Sequence, residues 1–331
     1  MTHLDAYSRP INYLRVSVTD RCNLRCTYCM PPDGVPWRPS QDILRYEEIE
    51  TVVRAAVELG ISKVRLTGGE PLVRLGIVDL VRRLSRVAGV DDLTMTTNGV
   101  LLSRYAEALA QAGLRRVNVS LDTLRAERFR RITRLGRIED VLEGIEAAHR
   151  AGLEPVKINT VVIRGMNDDE VVDFARNAVE KGWNVRFIEW MPIGQGQAAE
   201  QAWLDRVVTA EEIRQTIEAE LGALHPVKTS AEGGPARYYR VAQADGSIGF
   251  ITPVSEHFCF RCNRLRLTAD GQLRPCLLSD AEIDLRTPLR QGASVAQVRE
   301  LILEAIERKP LQHNLDRCQG PEKRIMSQIG G

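Results

Sequence analysis

Residues 12–29 read Asn-Tyr-Leu-Arg-Val-Ser-Val-Thr-Asp-Arg-Cys-Asn-Leu-Arg-Cys-Thr-Tyr-Cys. The first half alternates: Leu14, Val16 and Val18 fall on one face, Arg15, Ser17 and Thr19 on the other. That is the period of a β-strand. The second half places Cys22, Cys26 and Cys29 directly after it. Parallel α/β folds carry their sites on loops at the carboxyl ends of strands. This stretch therefore predicts a first strand that delivers a cysteine triad to a site.

Further strands are expected at 63–67, 93–97, 116–121, 156–163 and 185–190. Between them lie amphipathic helical patterns: Ile49, Val52, Val53, Ala56 and Val57 before Gly60; Leu142, Ile145 and Ala148 before Gly152; Phe174, Ala175, Ala178 and Val179 before Gly182. Alternating strand and helix is the pattern of βαβ units on a parallel sheet. The units are too few for an eight-fold barrel. Strand after strand has one polar face: Lys63, Arg65 and Thr67; Thr94, Thr96 and Asn98; Asn118, Ser120 and Asp122; Lys157 and Asn159. A parallel sheet is seldom left half bare. The expectation is an α/β fold, an open partial (β/α)6 barrel around a polar cavity, rather than a sheet with one solvated face.

The remainder differs in texture. A loop is expected at 197–206, a helix at 209–221, hairpins at 237–252 and 264–276, a helix at 294–309, and a polar tail ending in Gly330-Gly331. The expected division is 1–207 for the barrel and 208–331 for a C-terminal hairpin extension that closes it.

The chain has 331 residues, 44% hydrophobic, with a formal net charge of +1. A core is assured, and the basic excess of a general nucleic-acid binder is missing. No apolar run is long enough to span a bilayer, and residues 1–10 do not read as a signal peptide. The expected location is the cytoplasm, where thiols stay reduced. The seven cysteines lie at 22, 26 and 29, at 259, 262 and 276, and at 318. Two clusters and a remainder point to metal or redox chemistry more than to disulfides.

Three thiolates cannot close a four-iron cluster, so one iron would be open to a small molecule. By spacing alone, a structural zinc site with a fourth ligand from elsewhere is an alternative. Cys22-x3-Cys26-x2-Cys29 with Tyr28 before the last cysteine, and Thr67-Gly68-Gly69-Glu70-Pro71 after the next strand, together resemble the radical S-adenosylmethionine family. The resemblance implies a 4Fe–4S cluster whose open iron binds S-adenosylmethionine. An electron then breaks a sulfur–carbon bond, and a 5′-deoxyadenosyl radical takes a hydrogen from the substrate.

Cys259, Cys262 and Cys276 repeat the triad across the second hairpin, with Arg264-Leu265-Arg266 between. A zinc ribbon would need a fourth ligand, and Cys318, His257 and His313 have no regular ribbon spacing. A second 4Fe–4S cluster is preferred. Arg15, Lys63, Arg65, Lys157, Arg186, Arg264 and Arg266 all point toward the proposed cavity. So many cations would repel unless an anion sat among them, and arginine suits phosphate. No P-loop is present.

The whole pattern is similar to the GTP 3′,8-cyclases of molybdenum cofactor biosynthesis. That resemblance implies a radical S-adenosylmethionine lyase cyclising GTP to 3′,8-cyclo-7,8-dihydro-GTP. It assigns the six clustered cysteines to two 4Fe–4S clusters, and Tyr28, Gly69, Ser120 and Met191 to S-adenosylmethionine. Arg15, Arg65, Thr96, Lys157, Arg264, Leu265 and Arg266 would contact GTP, joined by Arg186 from the cation pattern, and Gly330-Gly331 would form a functional end. Met191 is out of step with Arg186, so the sixth strand is expected to end or bulge between them. Cys318 has no role in the pattern and reads as a structural or free thiol. Implied partners are GTP, an electron donor, the cyclic pyranopterin monophosphate synthase that follows in the pathway, and a second copy in a homodimer; no nucleic acid and no membrane are expected. The alternatives are a peptide-modifying two-cluster radical enzyme and a zinc-stabilised binding protein.

Overall fold

The computed structural model describes residues 2–191, 193, 203–227, 234–313, 315, 321 and 323–330; Cys318, Gly331 and positions 197–202 of the expected loop lie outside these. The six expected strands form: β1 (Tyr13–Ser17), β2 (Lys63–Thr67), β3 (Asp92–Thr97), β4 (Arg116–Ser120), β5 (Lys157–Val162) and β6 (Asn184–Glu189). Each runs parallel to the next. The crossovers carry α1 (Tyr46–Glu58), α2 (Ile77–Ser85), α3 (Leu102–Gln111), α4 (Ala126–Thr133), α5 (Ile138–Arg150) and α6 (Val171–Glu180).

Beyond β6 come α7 (Ala210–Leu221), β7 (Leu224–Pro226), β8 (Arg237–Val241), β9 (Ser247–Ile251), β10 (Arg264–Leu267), β11 (Gln272–Arg274) and β12 (Ile283–Asp284). They are followed by α8 (Arg286–Arg290), α9 (Val295–Glu307) and α10 (Met326–Ile329). Both expected hairpins form, as β8–β9 and β10–β11. They join the same sheet at opposite edges, giving 12 strands among the described residues in the order β12-β11-β10-β1-β2-β3-β4-β5-β6-β9-β8-β7. β10 lies parallel to β1, and β9 parallel to β6. The sheet stays open, because β12 and β7 do not pair with each other.

Side-chain alternation decides which way each strand residue faces. Leu14, Val16, Val64, Leu66, Met95, Val117, Val119, Ile158 and Val185 lie in one core with Ile49, Val52, Val53, Leu80 and Phe174 of the helices. One expectation needs correcting. Leu142 is exposed, and Val141 takes its place in the core; the buried stripe of α5 lies one residue round the helix. Within the polar tail lies α10, with Ile329 and Gly330 buried. No helix among the described residues is long and apolar enough to cross a membrane.

Candidate active site

The polar strand faces line a cavity of about 650 Å³. Register places the two cysteine triads at its two ends. Cys22, Cys26 and Cys29 follow the carboxyl end of β1. Tyr13, the first residue of β1, pairs with Arg264, the first of β10, so Cys262 sits at the amino end. β11 runs antiparallel to β10 and brings Cys276 to that same end. All six cysteines are unbridged, partly buried and on the cavity wall.

The first triad rides on a loop fixed from several sides. Arg25 N–H donates to Thr133 O and Thr27 N–H to Ile132 O, both at 2.9 Å, seating the loop on the end of α4. Gly69 N–H donates to Thr19 O and Glu70 N–H to Arg21 O, both at 2.8 Å. A Cβ on Gly69 would collide with Arg21 O, so only glycine lets these two loops meet. Glu70 accepts from Leu72 N–H at 3.1 Å, Thr97 Oγ1 at 2.7 Å and Asn98 N–H at 2.6 Å. Its burial pushes the carboxyl up to about 7. Asn98 Nδ2 reaches Cys22 Sγ at 3.8 Å. Across the cavity Tyr28 donates to Asp122 at 2.6 Å, and Asp122 also accepts from Val161 N–H at 2.9 Å.

Burial pushes Cys22 up to about 11 and Cys29 up to about 12. Three such thiols become thiolates only beside a positive centre, which is the chemistry of a metal-cluster ligand set. The second triad has its own cations. Burial acts to raise Cys262, but Arg264 and Lys309 outweigh it and lower the thiol to about 6. Among the described residues no three His, Cys, Asp or Glu side chains converge on a single-ion site. A closed zinc site needs its ligands drawn in to about 2.0–2.3 Å. A four-iron cluster takes each of three thiolates on a different iron.

Two residues missed in the sequence hold the second triad. Lys309, buried, donates to Arg264 O at 2.8 Å and Pro275 O at 2.7 Å, tying the segment after Cys262 to the one before Cys276. Arg9 donates to Cys259 O at 2.8 Å and Leu311 O at 2.9 Å, while Asp5 holds it at 2.6 Å. Residues 1–10 carry no motif, and an isolated arginine there gives no signal.

Between the triads the cavity wall carries Arg15, Lys63, Arg65, Thr96, Ser120, Lys157, Arg186, Arg264 and Arg266. Leu265 is 0% exposed and its side chain packs in the core, so it does not reach the wall. Alternation along β10 turns the two arginines inward and the leucine between them away. β6 ends at Glu189, which frees Met191 to reach the wall despite its parity. Several of these cations are buried close to one another. Burial, then Arg186, Arg116 and Arg65, lower Lys157 to about 7; burial, then Arg264, lowers Arg266 to about 9. Arg65 Nε and Arg186 Nε and Nη2 are buried with no hydrogen-bond partner among the described residues. The arrangement is built for a multiply charged anion.

Two family models match this chain: "Radical SAM superfamily" over residues 16–178 and "Molybdenum Cofactor Synthesis C" over residues 183–315. A protein named GTP 3′,8-cyclase from Pelotomaculum thermopropionicum is 57% identical over 99% of each chain. Those so named from Heliobacterium modesticaldum and Moorella thermoacetica are 54% and 52% identical, with coverage of 99% of this chain and 100% and 99% of theirs. Among solved structures, Streptococcus suis SuiB bound to S-adenosylmethionine superposes with a TM-score of 0.57 at 14% identity, covering 88% of this chain and 68% of that one. Native anSMEcpe with bound AdoMet gives 0.51 at 16% identity, covering 91% and 82%. These two speak for the fold. The near-full-length relatives, joined to two cysteine triads facing each other across one cation-lined cavity, show that the chain belongs to the GTP 3′,8-cyclase family of the radical S-adenosylmethionine superfamily.

Proposed function

We infer that this enzyme converts GTP to 3′,8-cyclo-7,8-dihydro-GTP, the first step of molybdenum cofactor biosynthesis, with two 4Fe–4S clusters and S-adenosylmethionine. The observation that carries the reading is the cavity of about 650 Å³ with a cysteine triad at each end and a ring of buried cations between. Bound at the first triad, cluster and S-adenosylmethionine supply the 5′-deoxyadenosyl radical.

The chain's own residues supply position and seclusion. Cys22, Cys26 and Cys29 hold the first cluster, and Tyr28, Gly69, Ser120 and Met191 cradle the cofactor. Cys259, Cys262 and Cys276 hold the second. Arg15, Arg65, Thr96, Lys157, Arg186, Arg264 and Arg266 bind the triphosphate nucleotide, so the ribose is presented toward the first triad. Holding the reacting groups in one geometry is worth a large share of the barrier. The wall excludes water from a reactive radical. Gly330 completes the site from the side of Arg15 and Arg266. Residues 1–207 form the partial barrel with the first cluster, and 208–331 the C-terminal region with the second cluster and the Gly-Gly end. The enzyme works in the cytoplasm, takes electrons from a reductant, and passes its product to the next enzyme of the pathway.

The test is anaerobic incubation of cluster-loaded enzyme with S-adenosylmethionine, a reductant and each nucleoside triphosphate in turn. Cyclised product and 5′-deoxyadenosine are expected with GTP. Equal turnover of the other triphosphates, or none with GTP, would remove the assignment.

A further inference from the structure

The cavity wall holds a tyrosine that no motif singles out. Register puts Gly249 of β9 directly between Arg186 of β6 and Tyr238 of β8. A Cβ on Gly249 would lie 3.0 Å from Arg186 Cγ and 3.0 Å from Tyr238 Cε1. A glycine at this row therefore lets both long side chains lean over the strand between them and into the cavity. From β5, Lys157 Nζ donates to Tyr238 Oη at 3.4 Å and lies 5.4 Å from the ring centre. All three side chains line the same cavity. Lys157 and Arg186 are each 7% exposed, and Arg186 Nε and Nη2 have no partner among the described residues.

The chemistry of the phenol follows from its neighbours. Lysine and arginine have donors and no acceptor. The Tyr238 oxygen can only accept from them, and its hydrogen must turn elsewhere. Tyr238 lies on the cavity wall, so a ligand in the cavity can accept that hydrogen. Three side chains thus offer converging donors, two of them charged, at one wall of the cavity. That set matches one phosphate group, whose oxygens accept several hydrogen bonds at once. A ribose hydroxyl, with one oxygen, would leave donors unmet.

We propose that Tyr238 is a further substrate-binding residue, whose hydroxyl donates to a phosphate of the bound nucleoside triphosphate between Lys157 and Arg186. The proposal rests on GTP as substrate, but it can be tested without it. Tyr238→Phe keeps the ring over Lys157 and removes only the donor. In anaerobic, cluster-loaded enzyme, equilibrium dialysis would compare GTP, guanosine and inorganic tripolyphosphate. Losing one such hydrogen bond should weaken GTP and tripolyphosphate alike by roughly tenfold. Guanosine binding, iron content and substrate-free cleavage of S-adenosylmethionine should stay at wild-type values. Unchanged affinity for tripolyphosphate would overturn the proposal, leaving Tyr238 as packing. So would a loss confined to guanosine, which would put the hydroxyl on the nucleoside. A wild-type enzyme that binds tripolyphosphate through Tyr238 but makes no cyclised GTP would support this site while removing the cyclase assignment.

Discussion

Arg266 Nη1 donates to the backbone carbonyl of Gly330 at 3.1 Å, and Arg15 Nη2 donates to the same oxygen at 3.1 Å. Gly330 thus lies against two of the cations expected to bind substrate. Gly330 has a φ of +72°, and a Cβ there would meet Thr67 Oγ1 at 2.6 Å. Gly330→Ala is strained in both conformation and space. Deletion of residues 330–331 removes the contact outright. Both changes should leave iron content and GTP affinity near wild type. Cyclised product should fall on the order of tenfold to a hundredfold, since small misplacements of reacting groups are costly. Wild-type product formation in the truncated enzyme would reduce the tail to packing.

The two triads lie at opposite ends of the cavity, so their losses should be separable. Cys26→Ser should abolish reductive cleavage of S-adenosylmethionine; a retained cleavage rate would defeat the assignment of the first triad. Cys262→Ser should halve the iron while uncoupled cleavage persists and GTP turnover stops. Lys309→Met should lower the iron of the second site in part, because it cuts the tie between the Arg264 and Pro275 carbonyls without removing a ligand. Iron measured by chelation and by electron paramagnetic resonance, before any turnover assay, distinguishes these outcomes.

Lys157 gives a pH dependence with a definite sign. Burial, then Arg186, Arg116 and Arg65, hold its ammonium down to about 7. A bound phosphate favours the charged form and raises that value. Below pH 7 the lysine is already protonated, so binding needs no proton and affinity is at its full value. Above pH 7 each binding event must take up a proton, and affinity should fall by up to about tenfold per pH unit until the bound-state value is passed. GTP dissociation constants between about pH 6 and 9 report this directly. Lys157→Gln should bind more weakly and flatten the profile. A wild-type profile already flat across that range would mean that no triphosphate sits beside Lys157.

Much of this is legible in the sequence for a physical reason. Strand parity is a two-residue period, so Arg15, Arg65, Thr96, Ser120 and Lys157 can be put on one face from the sequence alone. The same rule, applied to β10, turns the Leu265 side chain away from the wall, between Arg264 and Arg266. Leu142 lies at one edge of the apolar arc of α5 (Ile138, Val141, Leu142, Ile145 and Ala148), which spans about a third of the circumference, so the local pattern does not tell which edge is buried. Arg9, Lys309 and Tyr238 were not legible. Each acts through a partner far away in the chain, and no local spacing records that Lys309 would meet the carbonyls of Arg264 and Pro275. The placement of β9 and β10 on opposite edges was hidden for the same reason: hairpin signals are local, but the choice of sheet edge is not.

The tail is held by an ion network rather than by apolar contact alone, and this permits a last test. Arg324 donates to Asp270 Oδ1 and Oδ2, both at 3.0 Å, and lies 2.5 Å from Glu282 Oε1. It is 7% exposed. Asp270 sits in the turn between β10 and β11, so this arginine anchors α10 to the strand that carries Arg264 and Arg266. Removing one partner of a buried pair leaves a charge uncompensated and typically costs about 3–5 kcal/mol. Part of that cost is relieved here, because Asp270 also accepts from Thr268 at 2.6 Å and pairs with Arg38 at 3.3 Å. Arg324→Ala should therefore stay folded while releasing α10 and Gly330 from the cavity. Its product formation should drop to the level of the enzyme truncated at residue 329, with iron content and S-adenosylmethionine cleavage unchanged. The decisive comparison is the double change. If Arg324 acts by seating the tail, adding Arg324→Ala to the truncated enzyme should cost no further activity, because the two sites then share one effect. A further drop of the full size of the single substitution would show that Arg324 serves the site independently of the tail.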